Sequence, residues 1–338
     1  MSSIRRYSLK ATAYSRTAGN PLNFSRLATV PMYVGSIAVL LTSAMAMGQA
    51  SPFTAGGPTI KAHVELALIP VTVTDPRGAL VMGLSAKQFA VKDDKQSQNL
   101  VSFSYETGPA SLGIILDVSG SMRLKSSTAR ASLKGLLEAI EPDDEVMLAT
   151  FADTAKIAVP FTSDLSSIRN TTLYPESRGS TALFDAIALT IRQMKHAKHQ
   201  RKLIFLISDG GENHSRLSDR EFRRFLQEAD VPVHAVSVQD SFPSTRRRAR
   251  PLTEQDGPAL MREVADLTGG QHYTVNHSRD GERLALRVGS WMHEYYLLGY
   301  KPAPHGQCGK YRAVEVKVTR NKGQPRLYVY SRRGYWMP

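Results

Sequence analysis

Cysteine is nearly absent from this chain of 338 residues, and its single cysteine, Cys308, can form no intrachain disulfide bond. A metal site built from cysteines is excluded for the same reason, so any metal ion must be bound through oxygen or imidazole ligands. The chain also lacks a second hydrophobic run, after that of residues 30–47, long enough to span a bilayer. The sequence therefore predicts a mature protein that is soluble or anchored in a membrane at most once.

Acidic residues are outnumbered, since 43 Lys and Arg against 30 Asp and Glu give a formal net charge of +13 at pH 7. Part of this excess lies in residues 1–50, which contain no acidic residue, and the rest is spread along the chain. Charge alone therefore does not indicate a nucleic-acid-binding protein. A hydrophobic fraction of 42% is typical of folded proteins, and the length suits one large or two medium domains.

Residues 1–50 have the composition of an export signal. Basic residues come first, the apolar run of residues 30–42 follows, and small residues lead up to Ala46 and Ala50, after either of which a signal peptidase could cleave. We favour Ala50 because residues 51–59, with their Pro and Gly, are typical of a linker. This order predicts an exported protein that is periplasmic or extracellular.

Two other interpretations of this segment remain open. Residues 30–47 are about the minimum length for a bilayer span, so this stretch could instead be an uncleaved anchor. The pair Arg5-Arg6 ahead of Leu9-Lys10 also matches a twin-arginine signal in part, although adjacent arginines are ordinary in any signal peptide. The export route therefore stays undecided between the general and the twin-arginine pathways.

Beyond residue 60 the pattern of hydrophobic residues changes twice. Residues 60–107 alternate apolar and polar positions, which predicts a small β-rich module. Residues 110–295 alternate apolar strands with amphipathic helices, which predicts an α/β fold with a doubly wound, mostly parallel sheet and helices on both faces. Residues 296–338 return to β-type alternation, and we expect them to pair with the first module because short hairpins are marginal alone.

Periodicity also locates elements within the α/β region. Four nearly continuous apolar runs predict strands buried on both faces of the sheet, at residues 112–116, 146–151, 203–207 and 233–238. The last helix is predicted from apolar residues at helical spacing, namely Leu284, Val288, Trp291 and Tyr295.

Polar residues follow the first of these strands directly, in Asp117-Val118-Ser119-Gly120-Ser121. Ligands of open α/β sheets lie beyond the carboxyl ends of the strands, so polar residues matter most there. Two more polar segments occur at junctions that a parallel sheet brings to the same edge, Gly179-Ser180-Thr181 and Ser208-Asp209-Gly210-Gly211. The sequence thus predicts an oxygen-rich site at this edge of the sheet.

This set of residues resembles the metal-ion-dependent adhesion site of von Willebrand factor type A domains. About residues 60–335 are similar to bacterial exported proteins related to that domain, through segments such as residues 179–186, 296–300 and 333–335. The resemblance implies a divalent cation, most often Mg²⁺ with Mn²⁺ or Ca²⁺ as alternatives. It further implies direct hydroxyl ligands and aspartates acting largely through water, the hydroxyls being Ser119, Ser121 and Thr181 and the aspartates Asp117 and Asp209.

A cation held mainly by neutral hydroxyls keeps much of its positive field. An Asp or Glu side chain of another protein could then replace a water molecule and complete the coordination shell. The function implied is divalent-cation-dependent binding of a protein partner, with no part for nucleic acid. The alternative for the three hydroxyl residues is that they only cap helices and turns, as Ser and Thr commonly do.

Motifs of the common catalytic machineries are absent, since the sequence has no P-loop, no G-x-S-x-G and no H-E-x-x-H. We therefore predict that the protein is not an enzyme. A metal-dependent hydrolase would need Asp117 as nucleophile, or Glu212 or His214 as general base, and for the latter two a solvated loop is the simpler interpretation. An envelope structural protein with a purely structural metal is the other alternative.

Overall fold

The computed structural model describes residues 5–7, 64–172, 179–239, 257–302, 310–321 and 323–336. The predicted signal, apart from residues 5–7, and the predicted linker lie outside these ranges, as does Cys308. The contacts within the chain divide it into two units. The first unit comprises Met1–Arg6 together with Glu65–Pro338, and the second comprises Tyr7–Val64. The second unit lies almost wholly outside the described residues. Within the described ranges, no helix combines the length and hydropathy that crossing a bilayer requires.

The strands in chain order are β1 (Arg5–Tyr7), β2 (Val64–Thr74), β3 (Phe89–Asp93), β4 (Gln96–Gln98), β5 (Leu100–Thr107), β6 (Ala110–Asp117), β7 (Glu145–Phe151), β8 (Ala155–Thr162), β9 (Arg201–Ser208), β10 (Val233–Val238), β11 (His272–Val275), β12 (Glu294–Tyr300), β13 (Tyr311–Val318), β14 (Tyr328–Tyr330) and β15 (Gly334–Trp336). The helices are α1 (Ser126–Glu138), α2 (Leu165–Thr172), α3 (Leu183–Gln193), α4 (Asp219–Glu228), α5 (Gly257–Thr268) and α6 (Ser278–Met292).

The central sheet has six strands in the order β11-β10-β9-β6-β7-β8. All neighbours run parallel except β7 and β8, so an antiparallel edge strand completes an otherwise parallel sheet. Every residue of β6 is buried, as expected for a strand covered by helices on both faces. This confirms the predicted α/β fold class.

Two hydrophobic cores lie on the opposite faces of this sheet. One contains Leu112, Ile114 and Leu116 of β6 together with apolar residues of α1 and α6. The other contains Ile115 of the same strand with apolar residues of α3, α4 and α5. Successive side chains of a strand point to opposite faces, so the continuous apolar sequence of β6 serves both cores.

Two antiparallel sheets flank the α/β domain, in the orders β1-β2-β12-β5, with β14 beside β2, and β15-β13-β3-β4. A third core includes residues of both sheets. Strand β12 pairs with β2 and β5, and β13 pairs with β3, so the carboxy-terminal segment does pair with the amino-terminal β strands, as predicted.

The prediction for the end of the last helix is wrong at Tyr295. Helix α6 stops at Met292, and Tyr295 belongs to β12. The reason is the alternation of Tyr296, Leu298 and Tyr300, which are buried in the third core and require an extended chain.

A buried carboxylate, Asp93, joins the two flanking sheets. Arg312 Nε donates to its Oδ1 at 2.8 Å, and both side chains are at most 4% exposed. The hydroxyls of Tyr300 and Tyr335 donate to its Oδ2 at 3.0 and 2.8 Å. Burial raises the pKa of Tyr335 to about 12 and raises that of Tyr300 further, so both stay protonated donors.

We expect Arg312→Met to lower the free energy of unfolding by about 3–5 kcal/mol, because it leaves the buried Asp93 without its counter-ion. Urea denaturation followed by circular dichroism measures this. The control is Lys317→Met, which removes a cation from the exposed pair with Glu315 on the same strand and should change little. Equal effects of the two substitutions would contradict a stabilising role for the buried pair of Arg312 and Asp93.

A second buried pair, Asp144 and His293, lies where the chain passes between the α/β domain and the flanking sheets. His293 Nε2 is 2.8 Å from Asp144 Oδ2, and the amide of Ala110, the first residue of β6, donates to Oδ1 at 2.7 Å. His293 itself directly precedes β12. The hydrogen bond to Asp144 raises the pKa of His293. Burial alone would raise the pKa of Asp144, but its hydrogen bonds from His293, Ala110 and Glu141 lower it instead.

The stabilisation from this pair should depend on pH in both directions. The raised pKa of His293 gives stability that is complete below about pH 6.5 and is lost as the pH rises through the folded-state value. The lowered pKa of Asp144 gives stability that is complete above about pH 3.9 and is lost as the pH falls. The difference in unfolding free energy between the wild type and His293→Gln should therefore be largest between about pH 3.9 and 6.5. A difference that stays constant from pH 3 to 9 would refute a stabilising role for the charged pair.

Candidate functional site

The predicted site residues lie at the carboxyl end of the two central strands. Asp117 is the last residue of β6, and Asp209 directly follows β9, its parallel neighbour. From β6 the chain continues to β7 on one side and later returns as β9 on the other. This edge is therefore the point where the strand order reverses, which is where open α/β sheets bind ligands.

The loop after β6 is organised around the buried carboxylate of Asp117. Its Oδ1 accepts the amide of Ser119 at 2.8 Å, and its Oδ2 accepts the hydroxyl of Ser208 at 2.5 Å. The chain then forms a single turn of 3₁₀ helix over Gly120–Met122. This turn brings Ser119 Oγ and Ser121 Oγ to 3.1 Å from each other, with Ser119 buried and Ser121 exposed.

Thr181 is buried in the loop that leads into α3. Its amide donates to Asn213 Oδ1 at 2.9 Å, and its carbonyl accepts the amides of Asn213 and His214 at 3.0 and 3.2 Å. The backbone of Thr181 is thus fixed by the segment that follows Asp209, which leaves its hydroxyl as the group available to the site.

A direct hydrogen bond joins the Thr181 loop to the Asp117 loop, from the amide of Gly120 to the carbonyl of Gly179 at 3.1 Å. Gly179 has a φ of +90°, and a Cβ there would lie 2.5 Å from Asp153 Oδ2. Only glycine fits this position. Asp153 also accepts the amide of Ser180 at 2.6 Å, which holds the loop in place.

Asp209 completes the cluster. Its Oδ1 accepts the amide of Gly211 at 3.2 Å. A Cβ on Gly211 would lie 3.4 Å from that same Oδ1 and 3.6 Å from Thr181 Oγ1, so these two oxygens border one small space. The other oxygen of Asp209, Oδ2, accepts a hydrogen bond from Lys125 Nζ at 2.8 Å. The structure therefore brings all five predicted residues to one rim of the sheet.

Two contacts of the site were missed by the sequence prediction. Ser208 was only part of a polar segment, yet its hydroxyl bonds Asp117. Lys125 stands at the N-cap of α1, 84 residues from its partner Asp209. The continuous apolar run of strand β9 could have indicated Ser208, since it is a polar residue at the buried end of that run. No local pattern indicates a lysine that pairs so far along the chain.

The two aspartates experience different electrostatic environments. Burial raises the pKa of Asp117 to about 6, against the hydrogen bonds from Ser119 and Ser208, and the nearby charge of Asp209 adds to the rise. Burial would also raise the pKa of Asp209, but the hydrogen bond and charge of Lys125 lower it, with help from Ser121. Asp209 therefore has a counter-ion in Lys125, while Asp117 has only hydrogen bonds, so added positive charge would stabilise the site.

The chemistry of the donor set fits a hard cation. Its hydroxyl and carboxylate oxygens are the ligands that Mg²⁺ prefers. Within the described residues, His, Cys, Asp and Glu form no group of three or more that could hold a metal ion. A cation at this rim would thus depend on the hydroxyls of Ser119, Ser121 and Thr181.

Glu212 lies in the loop after Asp209, as the simpler interpretation of the sequence has it, and its half-buried carboxylate is fully engaged in hydrogen bonds. Its Oε2 accepts the amide of Phe184 in the first turn of α3 at 2.9 Å and the hydroxyl of Ser215 at 2.7 Å. Its Oε1 accepts the amides of His214 and Ser215 at 3.0 and 2.9 Å. A carboxylate in this position stabilises the start of a helix. Glu212 therefore caps α3, while His214 is exposed.

Residues 112–212 match the family model of the von Willebrand factor type A domain. The chain contains a von Willebrand factor type A (VWA) domain. The match runs from β6 to the loop after β9 and so includes all five predicted site residues.

Three proteins similar to the chain in sequence or fold are 13% to 24% identical to it. A protein of Borreliella burgdorferi, described as uncharacterized, is 24% identical over 184 residues, which cover 49% of this chain and only 54% of that protein. A von Willebrand factor type A structure from Catenulispora acidiphila is 13% identical, with 74% of each chain covered and a TM-score of 0.46. The conserved hypothetical protein BatB from Bacteroides thetaiotaomicron is 20% identical over 55% of this chain and 98% of its own, with a TM-score of 0.40.

We expect Glu212→Ala to destabilise the VWA domain by about 1–3 kcal/mol, because the amide of Phe184 at the start of α3 and two amides of the loop lose a charged acceptor. Urea denaturation measures the change. His214→Ala, two residues further in the same loop, keeps the backbone contacts and should change stability little. A Glu212→Ala protein as stable as the wild type would show that the cap contributes nothing.

Proposed function

We propose that this protein is an exported receptor whose VWA domain binds a divalent cation and, through it, an acidic side chain of a protein partner. The cation would be held by the cluster at the carboxyl ends of β6 and β9, which comprises Asp117, Ser119, Ser121, Thr181 and Asp209. Mg²⁺ is the best candidate, with Mn²⁺ and Ca²⁺ as alternatives of similar ligand chemistry.

The observation that carries this proposal is the 3.1 Å separation of Ser119 Oγ and Ser121 Oγ. Two oxygens bound to Mg²⁺ at about 2.1 Å in neighbouring positions of an octahedron lie about 3 Å apart. The 3₁₀ turn after β6 therefore already holds these hydroxyls at the spacing of adjacent ligands. The same distance is that of a hydrogen bond between the two hydroxyls, and the Ser119 side chain, at the start of the 3₁₀ turn, makes no capping hydrogen bond to the turn.

Each part of the rim has a definite task in this proposal. A bound cation supplies a positive centre with an open coordination position for a carboxylate. Asp117 holds the Ser119 loop through the amide of Ser119 and sits behind the hydroxyls as a buried negative charge. Thr181 presents its hydroxyl from a backbone fixed on both sides.

Access to the rim is open on the side of the 3₁₀ turn. Ser121 is exposed, and Leu124 in the same loop has 82% of its surface exposed. Ser119, in contrast, is fully buried. A partner side chain would therefore approach from the side of Ser121 and contact this loop.

Export is proposed from the amino-terminal sequence, whose basic, apolar and small-residue segments stand in the order of a signal peptide. An exported receptor meets partners in the periplasm or outside the cell. The capping contacts of Glu212 favour binding over hydrolysis, because they occupy the carboxylate that a general base near the rim would need.

Thr181→Ala should weaken Mg²⁺ binding about tenfold or more, because the cluster loses an oxygen ligand. Isothermal titration calorimetry of EDTA-treated protein with MgCl₂ measures the dissociation constant. Thr319→Ala makes the same change at an exposed position just after β13 and should leave binding unaltered. An unchanged affinity in Thr181→Ala would count against ligation by this hydroxyl.

Partner binding is tested by proximity labelling in the native envelope with Mg²⁺ present and then removed by EDTA. The proposal expects partners that are labelled only with Mg²⁺ and are lost in Thr181→Ala. A loss of melting temperature with EDTA but no cation-dependent partner would indicate a structural metal. Turnover of phosphoesters that Asp117→Ala abolishes would indicate a hydrolase.

A further inference from the structure

Lys125 and Asp209 form an enclosed ion pair in the candidate site. The ammonium of Lys125 lies 2.8 Å from Asp209 Oδ2, and the two side chains are only 15% and 12% exposed. Lys134 lies in α1, the helix that begins directly after Lys125, and is 67% exposed in its pairs with Glu138 and Glu282. Pairs as exposed as those of Lys134 contribute little, whereas a pair as enclosed as Lys125 and Asp209 is weakly screened by solvent and salt.

We propose that Lys125 is a built-in competitor of the divalent cation, an inference that rests on the function proposed above. In the metal-free protein its ammonium neutralises Asp209. When a cation binds, the ammonium leaves Asp209 and moves to solvent at the rim. The affinity of the site for cations is thus set below what its oxygen ligands alone would give.

Electrostatics favours this exchange. A cation bound through Asp209 and the adjacent hydroxyls would lie within a few ångströms of Lys125 Nζ, and like charges at that distance repel strongly where water is largely excluded. Asp209 Oδ1 also accepts the amide of Gly211 and Oδ2 accepts Lys125 Nζ, so a cation that uses this carboxylate, directly or through water, competes with the ammonium.

The side chain of Lys125 can make this move without disturbing the fold. Its amide donates to the carbonyl of Met122 and its own carbonyl accepts the amide of Ala129, so the backbone is fixed at the start of α1. The lysine stem is flexible and partly exposed, which lets the ammonium reach solvent. A released ammonium stays in the exposed loop of Leu124, beside the approach of a partner carboxylate.

The test compares Lys125→Met with Lys134→Met in the full chain. Both remove one positive charge from α1, but only the first acts on Asp209. Calorimetric titration of the EDTA-treated proteins with MgCl₂ should give a dissociation constant about tenfold lower for Lys125→Met than for the wild type, and no change for Lys134→Met. Without Mg²⁺, Lys125→Met should also melt at a lower temperature, and Mg²⁺ should raise its melting temperature by more than that of the wild type.

The outcomes separate this inference from the proposed function. If the wild type binds Mg²⁺ and Lys125→Met binds equally or less tightly, the inference is wrong and the proposed function stands. If only Lys125→Met binds, the inference holds and the wild-type site is not cation-dependent. If neither protein binds, both are wrong.

A second measurement uses the wild type alone and does not depend on the folding of a variant. The protein is acetylated with an amine-reactive reagent, and the rate at each lysine is measured by mass spectrometry. Lys125 should react several times faster with Mg²⁺ than with EDTA, while Lys134 should react at the same rate in both. A Lys125 rate that is unchanged or lower with Mg²⁺ would overturn the exchange.

Discussion

Two carboxylates at the ends of adjacent central strands, Asp117 and Asp209, place negative charge where little water reaches it. This is the constraint on which the rim of the VWA domain depends, because neighbouring buried charges of one sign need compensation. The fold provides it unequally. Asp117 accepts hydrogen bonds from the amide of Ser119 and from the side chains of Ser119 and Ser208. Asp209, in contrast, pairs with the ammonium of Lys125. The imbalance makes this edge of the sheet attractive to a positive ion.

The surrounding loops are built to hold hydroxyls in place rather than to move them. Thr181 is fixed through its own amide and carbonyl, and the loop before it is tied to the Asp117 loop at Gly120. Glu212, the candidate for a general base, accepts hydrogen bonds on both oxygens, from the amide of Phe184 in α3 and from amides of its own loop. A rigid arrangement of neutral oxygen donors is what ion binding needs, since ligands that are already placed lose little entropy.

Much of this structure could be predicted from the sequence because its signals are local. The apolar runs gave β6, β7, β9 and β10, and the polar residues after β6 and β9 pointed to the rim. Strands β8 and β11 carry weaker signals, since β8 is a partly exposed edge and β11 has four residues. Tyr295 was placed in a helix because its spacing fits one, whereas its neighbours are recruited by a core formed elsewhere in the chain. The pairing of Lys125 with Asp209 has no local signature at all.

The position of β6 has a mechanical consequence. Its amino end, at Ala110, joins the flanking sheets through β5 and is held by Asp144, while its carboxyl end, at Asp117, meets the rim. Tension between a ligand gripped at the rim and an attachment on the flanking sheets would therefore run lengthwise through this strand. Parallel ladders to β7 and β9 border it on both sides, so such a load would shear many hydrogen bonds together instead of peeling them singly.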